Sequence, residues 1–530
     1  MAHSLKFTIR SFSVVLATFF FLTEGSFGQT LKTSQHPIVV INTGNSEIPD
    51  EPKIAASMGI IYNRVGMDNH ISDPYNHYDG SIGIETRGNS TQGFDKKTYS
   101  IELWNAVGED ISVPLLGMGT EEDWILHAMV IDKTQLRIPY SFYLWQRMGH
   151  YASNWRYVEL VLDGEYRGLY LLTEKIKRGK DRVAIDKLDR DDVSGDSLSG
   201  GYILRIDWLD DPKGFASNYP SQSGDPMFFQ WYYPKANKIE PEQASYIQNW
   251  MGTFEEALFA DNCRSRGGDR YTDFIDLNSF VDFVLINELS KNSDGYKLSS
   301  YVHKHAEKKG GKLVAGPIWD FDQTYGLSDV CSNNDPTGWT YLQNQEGCED
   351  LESMPMWWQT MLADTLFRNH LNQRWKKFRT SFLHLDSINQ WMDAHQVFIE
   401  NAIERNFNKW DDVIGNSIWA EPEPIPESYE EEIAYMKDWL AKRIAWMDAH
   451  IANISTEERA VVSIYPNPTT GLFTIATEAT TYARVLDANG RLVTGSHGKT
   501  IDLSAQGQGL YLVEVFVNGE LFCVQKVMKQ

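Results

Sequence analysis

The sequence has 530 residues, of which 42% are hydrophobic and 13% aromatic, and this composition excludes a disordered chain and allows a large core. Its 72 acidic and 49 basic residues give a formal net charge of −23, which excludes a general nucleic-acid binder because such proteins need a basic face.

The N-terminal residues predict a secretory signal peptide over residues 1–28. A basic start at Lys6 and Arg10 precedes an apolar run from Phe12 to Leu22. This run is shorter than the roughly 20 residues that a membrane-spanning helix needs. We therefore expect cleavage after this range, export through the periplasm, and no transmembrane segment in the mature chain; an anchored N-terminal helix is the alternative.

Residues 36–454 predict one large domain whose strands come first and whose helices come later. The predicted strands include "PIVVINT", "SIGIETRG", "TYSIEL", "RYVELVLDG", "RGLYLLTE" and "GGYILRID". The predicted helices include "FVDFVLINELSKN", the long run that begins "MWWQTMLADTLF", and "EEEIAYMKDWLAKRIAWMDAH". This order favours an α+β fold with a cleft between two lobes.

The loop in "ETRGNSTQGFDKKTYSIEL" joins two predicted strands and is a candidate phosphate-binding loop. It holds Arg87, Asn89, Ser90, Lys96 and Lys97. Small residues let the backbone approach a phosphate, and lysine supplies a point charge. An ordinary hairpin loop explains the same residues.

Two further segments of this region hold charged candidates. Glu174 ends the strand "GLYLLTE", where it could pair with a nucleotide-contacting lysine or contact the nucleotide, although a solvated charge cluster fits equally. Asp132 is the expected N-cap of the helix in "DKTQLRIPYSFYLWQRMG", and Arg137 is expected to be structural.

Asp294 lies in "LINELSKNSDGYKLSS", where an apolar helical run changes to a loop. An aspartate at such a junction can accept the proton of a hydroxyl group or orient it, as the catalytic-loop aspartate of protein kinases does. A plain turn is the alternative, since Asn, Ser, Asp and Gly all favour turns.

Asp320 and Asp322 lie in "IWDFDQTYG", directly after the predicted strand "KLVAGPI". In an extended chain, side chains two residues apart lie on the same face. Two adjacent carboxylates repel each other unless a cation lies between them, and Mg²⁺ prefers one or two carboxylates with phosphate oxygens. We expect these residues to hold Mg²⁺ or Mn²⁺; acids that cap a turn are the alternative.

Four cysteines remain in an exported chain, where they can oxidise. Cys331 and Cys348 bracket a polar loop and are the expected pair. No C-x-x-C motif occurs, so we do not expect a structural zinc site.

Residues 461–530 predict a small all-β sandwich of short strands and turns. The succession "SIYPNPTTGLFTI", "VLDANGRLV", "GLYLVEV" and a basic "KVMKQ" end resembles the C-terminal sorting domain of the type IX secretion system of Bacteroidetes. The resemblance implies an immunoglobulin-like fold, interaction with that secretion machinery, and a secreted or cell-surface location. An ordinary immunoglobulin-like carbohydrate-binding module is the alternative.

The order of "RGNST…KK", "DKTQLR", "EKI", "NSDGY" and "GPIWDFD" across residues 36–454 resembles the CotH family of spore-coat-protein-H-like, atypical protein-kinase-like proteins. The resemblance implies transfer of phosphate from ATP to Ser or Thr of secreted or coat proteins. It implies that Asp294 is the catalytic-loop acid, that Asp320 is a metal ligand, and that Lys96 or Lys97 meets the phosphates with support from Glu174. Ser299 stands five residues after Asp294, where kinases place a metal-binding Asn, and no His-Arg precedes Asp294.

Two function classes follow. The first is an exported, Mg²⁺-dependent Ser/Thr protein kinase that uses ATP. The second is a weakly active or inactive kinase-like surface protein that binds polysaccharide or a host protein, with "MPMWWQ" and "GWTYLQ" as exposed aromatic platforms. Glycoside hydrolysis is disfavoured, because Asp320 and Asp322 are too close in sequence to flank a sugar ring at roughly 5 Å or more.

Overall fold

The computed structural model describes most of the chain. The described residues are 30–209, 213–222, 224, 226–260, 263, 265–346, 348, 354–454, 463–476, 481–488, 490–517 and 520–530. The predicted signal peptide lies outside these residues, as does most of the boundary between the two predicted domains.

The first part of the chain is built mainly of strands, with one helix. The strands are β1 (Thr33–Ser34), β2 (Ile38–Asn42), β3 (Ile54–Ile61), β4 (Asn69–His70), β5 (Tyr78–Arg87), β6 (Thr98–Trp104), β7 (Val113–Pro114), β8 (Thr120–Glu121), β9 (Asp123–His127), β10 (Trp155–Leu162) and β11 (Glu165–Glu174), and α1 (Arg137–Met148) lies between β9 and β10. Seven of them close a barrel in the order β10-β11-β9-β6-β5-β3-β2. Inward-facing residues of these strands, among them Ile60, Ile82 and Ile101, form an apolar cluster inside the barrel.

The second part combines a sheet with helices. Its elements are α2 (Gly195–Leu198), β12 (Tyr202–Ile206), β13 (Gly214–Pro220), β14 (Pro226–Tyr233), α3 (Pro241–Phe259), α4 (Tyr271–Phe274), α5 (Leu277–Ser290), β15 (Ser300–Lys304), β16 (Leu313–Ala315), α6 (Met356–Ala363), α7 (Thr365–Arg379), α8 (Leu385–Lys409) and α9 (Tyr429–His450). The strands form an antiparallel sheet in the order β13-β14-β12-β15-β16. The predicted α+β character is therefore confirmed.

Helix α5 is the central helix of this part and packs against α1, α7 and α9. From Ser279 to Ser290 every residue is buried, as expected for a helix that is apolar on all sides. Asp276 caps its N-terminus by accepting a hydrogen bond of 2.8 Å from the Ser279 amide. The helix ends where Lys291 adopts a left-handed conformation with φ of 43°.

Helix α1 begins later than the sequence suggested. Asp132 is not its N-cap, because the helix starts at Arg137 and Leu136 precedes it. Asp132 instead accepts hydrogen bonds from the Arg137 amide, at 2.8 Å, and from the Arg137 guanidinium, at 2.7 Å. This fully buried ion pair confirms that Arg137 is structural.

The C-terminal part is all β, as predicted. Its strands are β17 (Ser463–Tyr465), β18 (Leu472–Ala476), β19 (Thr481–Asp487), β20 (Leu492–Ser496), β21 (Thr500–Asp502), β22 (Gly509–Val517) and β23 (Glu520–Lys529). They form two antiparallel sheets, β17-β18-β21 and β20-β19-β22-β23, and side chains such as Phe473, Val485 and Val513 form a common apolar core. The sequence "NG" at residues 489–490 and 518–519 is typical of a tight hairpin turn, and the Asn of each pair lies outside the described residues.

Candidate functional site

Three aspartates singled out in the sequence meet at one cavity. Asp294, Asp320 and Asp322 line a cavity of about 340 Å³, together with residues of the loop after β5. Asp294 and Asp320 are 26 positions apart in the sequence, with strands β15 and β16 between them, so the fold brings them together.

The turn after α5 carries Asp294 into the cavity. The Asp294 amide donates to Oδ1 of Asn292 at 3.2 Å, and the Asp294 carbonyl accepts from the Leu298 amide at 2.9 Å. The adjacent Ser293 amide donates to the Gln323 carbonyl at 3.4 Å. The two acidic segments are therefore joined by a main-chain hydrogen bond one residue away from Asp294 and from Asp322.

Asp320 and Asp322 reach the cavity from an irregular segment and not by the predicted strand alternation. Strand β16 ends at Ala315, five residues earlier, and Asp320 has a left-handed φ of 62°. Ser299, with φ of 45°, donates from Oγ to Oδ2 of Asp320 at 3.1 Å. This hydrogen bond orients the Asp320 carboxylate.

Burial and mutual repulsion disfavour ionisation of the three acids. Burial, and then the charge of Asp320, raises the pKa of Asp294 to about 7, against the opposing effect of the Lys297 ammonium. Burial, and then the charges of Asp320 and Asp294, raises the pKa of Asp322 well above its usual range. The pKa of Asp320 is also raised by burial, while the Ser299 hydroxyl and Arg87 oppose the shift.

The donor set fits a hard divalent cation. Within the described part of the chain, none of the three carboxylates forms an ion pair with a lysine, arginine or histidine. Carboxylate oxygens are the ligands that Mg²⁺ prefers, and a cation would remove the repulsion between them. Asp320 and Asp322 are the residues that would hold it.

A tighter acidic cluster elsewhere is already bound by a lysine. Glu121, Glu122 and Asp123 bring one carboxylate oxygen each within 4.8 Å of one another, which the three cavity aspartates do not. However, Lys177 forms ion pairs with all three, at 2.9 Å to Glu121 and 2.8 Å to Asp123. The wider spacing at the cavity leaves room for an ion held by one or two carboxylates and by ligand oxygens.

The same cavity also carries groups suited to an anion. Arg87, Gly88 and Asn89, at the end of β5, line it together with His127 from the end of β9. The guanidinium of Arg87 lies 5.8 Å from the centre of the Trp319 ring. Burial, and then the charge of Arg87, lowers the pKa of His127 to about 3, and its Nε2 has no hydrogen-bond partner among the described residues. A buried polar atom without a partner indicates room for a ligand atom.

Three sequence-predicted residues, Lys96, Lys97 and Glu174, do not line this cavity. Lys96 is buried elsewhere, where its Nζ donates to the Leu169 carbonyl at 2.8 Å and to Oδ1 of Asn406 at 2.9 Å. Lys97 donates to the Gln92 carbonyl at 2.6 Å. Both amines therefore bind the protein's own oxygens.

Glu174 is fully buried at the end of β11. Its Oε2 accepts hydrogen bonds from the Tyr151 hydroxyl at 3.0 Å and from the main-chain and side-chain nitrogens of Asn154 at 2.9 and 3.0 Å.

Ser90 belongs to the short 3₁₀ turn after β5, and its side chain lies outside the described part of the structure.

Sequence reasoning missed several neighbours of the site. His127, Trp208, Trp319 and Trp419 line the cavity, and Asp207 raises the pKa of both Asp294 and Asp320. Trp419 and Asp207 belong to no motif of the sequence, and both lie far along the chain from the three cavity aspartates. Trp319 could have been found, since it directly precedes Asp320.

The predicted aromatic platforms are not at the surface. Trp357 and Trp358 of "MPMWWQ" are 1% and 2% exposed, and Trp339 and Tyr341 of "GWTYLQ" are 3% and 4% exposed. These aromatic side chains belong to the large core around α5 and are not available to a sugar.

The predicted disulfide is present. Cys331 and Cys348 are bonded, with their Cα atoms 5.5 Å apart. The bridge closes the loop that follows the acidic segment, and Val330, next to Cys331, lines the cavity.

Two family comparisons agree with this architecture. Residues 84–447 match the family described as CotH kinase protein, and the chain belongs to this family. Residues 463–530 match the secretion system C-terminal sorting domain. No curated protein shows a significant match to the chain.

The two family matches indicate how the protein is exported and that it uses ATP. The sorting domain implies that the protein engages the type IX secretion machinery and is exported to the cell surface or secreted. The CotH kinase match implies the use of ATP. No helix among the described residues is both long and apolar enough to span a bilayer.

Proposed function

We propose that this protein is an exported protein kinase that transfers the γ-phosphate of ATP to Ser or Thr hydroxyls of secreted or cell-surface proteins, with Mg²⁺ or Mn²⁺. The observation that carries this proposal is the meeting of Asp294, Asp320 and Asp322 at one cavity that Arg87 also lines. Carboxylates together with a guanidinium and a small-residue loop suit a metal-bound polyphosphate.

Each residue has a distinct role in this proposal. Asp320 and Asp322 hold the cation, which neutralises phosphate charge when it is bound. Arg87 and the main chain of Gly88 and Asn89 contact phosphate oxygens. His127 remains neutral and offers Nε2 to the nucleotide.

Asp294 orients the acceptor hydroxyl. The hydroxyl oxygen forms a bond to the γ-phosphorus, the bond from that phosphorus to the β–γ bridging oxygen breaks, and the hydroxyl proton passes to Asp294. Lys297 lies close enough to lower the pKa of Asp294, so its positive charge favours the ionised form that accepts the proton. Catalysis of this kind depends mostly on positioning and charge neutralisation.

Radiolabelled phosphate transfer tests the proposal. The full chain is incubated with γ-labelled ATP, Mg²⁺ and a generic acceptor protein, and D294N is compared with wild type. Loss of a positioned acid–base group costs roughly 10²- to 10⁴-fold in rate. D393N is the control, because Asp393 forms an exposed ion pair with Lys437 far along the chain from the acids. Equal labelling by D294N and wild type would remove Asp294 from the mechanism.

A further inference from the structure

A long groove lies on the surface away from the acidic cavity. It consists of two adjoining depressions of about 790 and 550 Å³, which share Tyr143, Trp391 and His395. No residue that lines either depression also lines the acidic cavity. The groove is therefore a separate site.

One face of α8 forms the floor of this groove. Its lining residues are Ser387, Gln390, Trp391, Ala394, His395 and Phe398. They recur at spacings of three and four residues, which places them on one side of the helix. At 1.5 Å per residue this face extends for roughly 16 Å. The groove is thus elongated and suits a polymer better than a compact small molecule.

Flat aromatic rings line the groove at several points. Trp155 and Phe398 contribute rings to the larger depression, whereas the rings of Tyr157 and Phe382, which also line the groove, are only 2% and 7% exposed. Phe398 is 55% exposed, and Val65 at the rim is 88% exposed. Exposed apolar groups of this size at a groove indicate a binding surface.

Neutral amides provide the polar part of the lining. Gln35, Gln146 and Gln390 line the groove, and their side chains form no hydrogen bond within the described chain. An amide offers donors and an acceptor together, which matches the hydroxyl groups of a sugar.

The charge of the groove differs from that of the protein. Among the described residues, its lining contains Arg147 and Arg156 but no Asp or Glu, although the chain carries a net charge of −23. Arg156 is oriented by donation to the Leu116 carbonyl at 3.1 Å and to the Trp155 carbonyl at 2.7 Å. Two guanidinium groups without a carboxylate favour an anionic ligand, since Arg binds carboxylates in a bidentate manner.

From these features we infer that the groove binds a strand of acidic polysaccharide, with sugar rings against Trp155 and Phe398 and uronate carboxylates at Arg147 and Arg156. An acidic peptide would offer carboxylates to the two arginines but lacks the sugar hydroxyl groups that the amides match, so it is the alternative occupant that poly-glutamate tests. The inference does not depend on phosphoryl transfer.

Binding to glycans by the full chain tests this inference. The probes are alginate and polygalacturonate as uronate polymers, dextran as a neutral glucan, and poly-glutamate as an acidic peptide. We expect the uronate polymers to bind at least tenfold more tightly than dextran and poly-glutamate. F398A and R156Q should each weaken uronate binding by roughly tenfold, as expected for residues at the centre of a contact surface.

Two variants serve as matched controls. V397A changes the neighbouring residue of α8, which is 71% exposed and does not line the groove. R266Q removes an exposed arginine elsewhere. Both should bind within twofold of wild type. Failure of both uronate polymers to bind, equal binding of poly-glutamate, or unchanged affinity of both F398A and R156Q would overturn the inference.

Discussion

The hydroxyl of Ser299 donates a hydrogen bond of 3.1 Å to Oδ2 of Asp320. Protein kinases place a metal-binding Asn five residues after the catalytic-loop aspartate, and here that position is Ser299. Its short side chain contacts the carboxylate that we assign to the cation. Ser299 therefore orients a metal ligand in our account and is not itself the ligand.

This relationship predicts the effect of S299A. Loss of a hydrogen bond to a ligating carboxylate typically costs 10–100-fold in metal affinity. We expect S299A to need roughly tenfold more Mg²⁺ for half-maximal phosphate transfer. S300A is the control, because the adjacent Ser300 hydroxyl donates to the Leu298 carbonyl at 3.0 Å. An unchanged Mg²⁺ requirement in S299A would show that this hydrogen bond has no effect on the cation.

Arg87 and Lys96 should behave differently when they are replaced. Arg87 lines the acidic cavity, so R87M should weaken nucleotide binding with little change in the stability of the free protein. Lys96 is buried, so K96M should destabilise the fold by about 1–3 kcal/mol, since the Leu169 carbonyl loses its partner. Calorimetric titration with ATP and Mg²⁺, together with thermal unfolding, separates the two effects. Weaker nucleotide binding by K96M alone would contradict the placement of Lys96.

The bond between Cys331 and Cys348 should stabilise the fold. Closing a loop of this sequence separation, 17 residues, is worth about 3 kcal/mol in the chain-entropy model. We expect the double variant C331S/C348S to unfold at lower denaturant concentration, and reduced wild type to match it. An identical unfolding midpoint for oxidised and reduced wild type would contradict this prediction.

Glu255 predicts a pH dependence of stability. Burial raises its pKa from 4.5 to about 7, against hydrogen bonds from Ser217 and Trp357. Between these pH values the folded protein holds a proton that the unfolded chain has lost. The free energy of unfolding therefore falls as pH rises through this window, by up to about 3 kcal/mol, and does not fall further above it.

Replacing Glu255 by its neutral isostere should remove this effect. E255Q should show a smaller loss of Tm between pH 5 and pH 8 than wild type. E256Q is the matched control, because Glu256 lies at the surface in an ion pair of 2.8 Å with Arg266. Equal pH dependence in E255Q and wild type would show that Glu255 does not hold the proton.

The sequence predicted those parts of the molecule that local patterns determine. Strand alternation gave β5, β6, β10 and β11, and the apolar run before "SKNSDG" gave α5, the helix that delivers Asp294. Asp294 and Asp320 were singled out mainly because the order of the motifs that contain them resembles that of a family, and not by a local pattern alone.

Other features depended on contacts that no local pattern contains. Lys96 follows a small-residue loop that suggests phosphate binding, yet its amine lies against Asn406, 310 residues later. Asp320 adopts a left-handed conformation in a segment whose alternation suggested an extended strand. The aromatic side chains of "MPMWWQ" read as surface platforms, but the helix that contains them packs into the core.

Thermal unfolding of wild type and D320N, with ATP in the presence and absence of Mg²⁺, shows whether the aspartates at the cavity bind a metal-nucleotide complex. At about 100 times its dissociation constant, a ligand should add roughly 2.7 kcal/mol to the free energy of unfolding. We expect this gain for wild type with ATP and Mg²⁺ together, and its loss without Mg²⁺ or in D320N. No stabilisation of wild type by ATP with Mg²⁺ or Mn²⁺, or an equal gain in D320N, would contradict it.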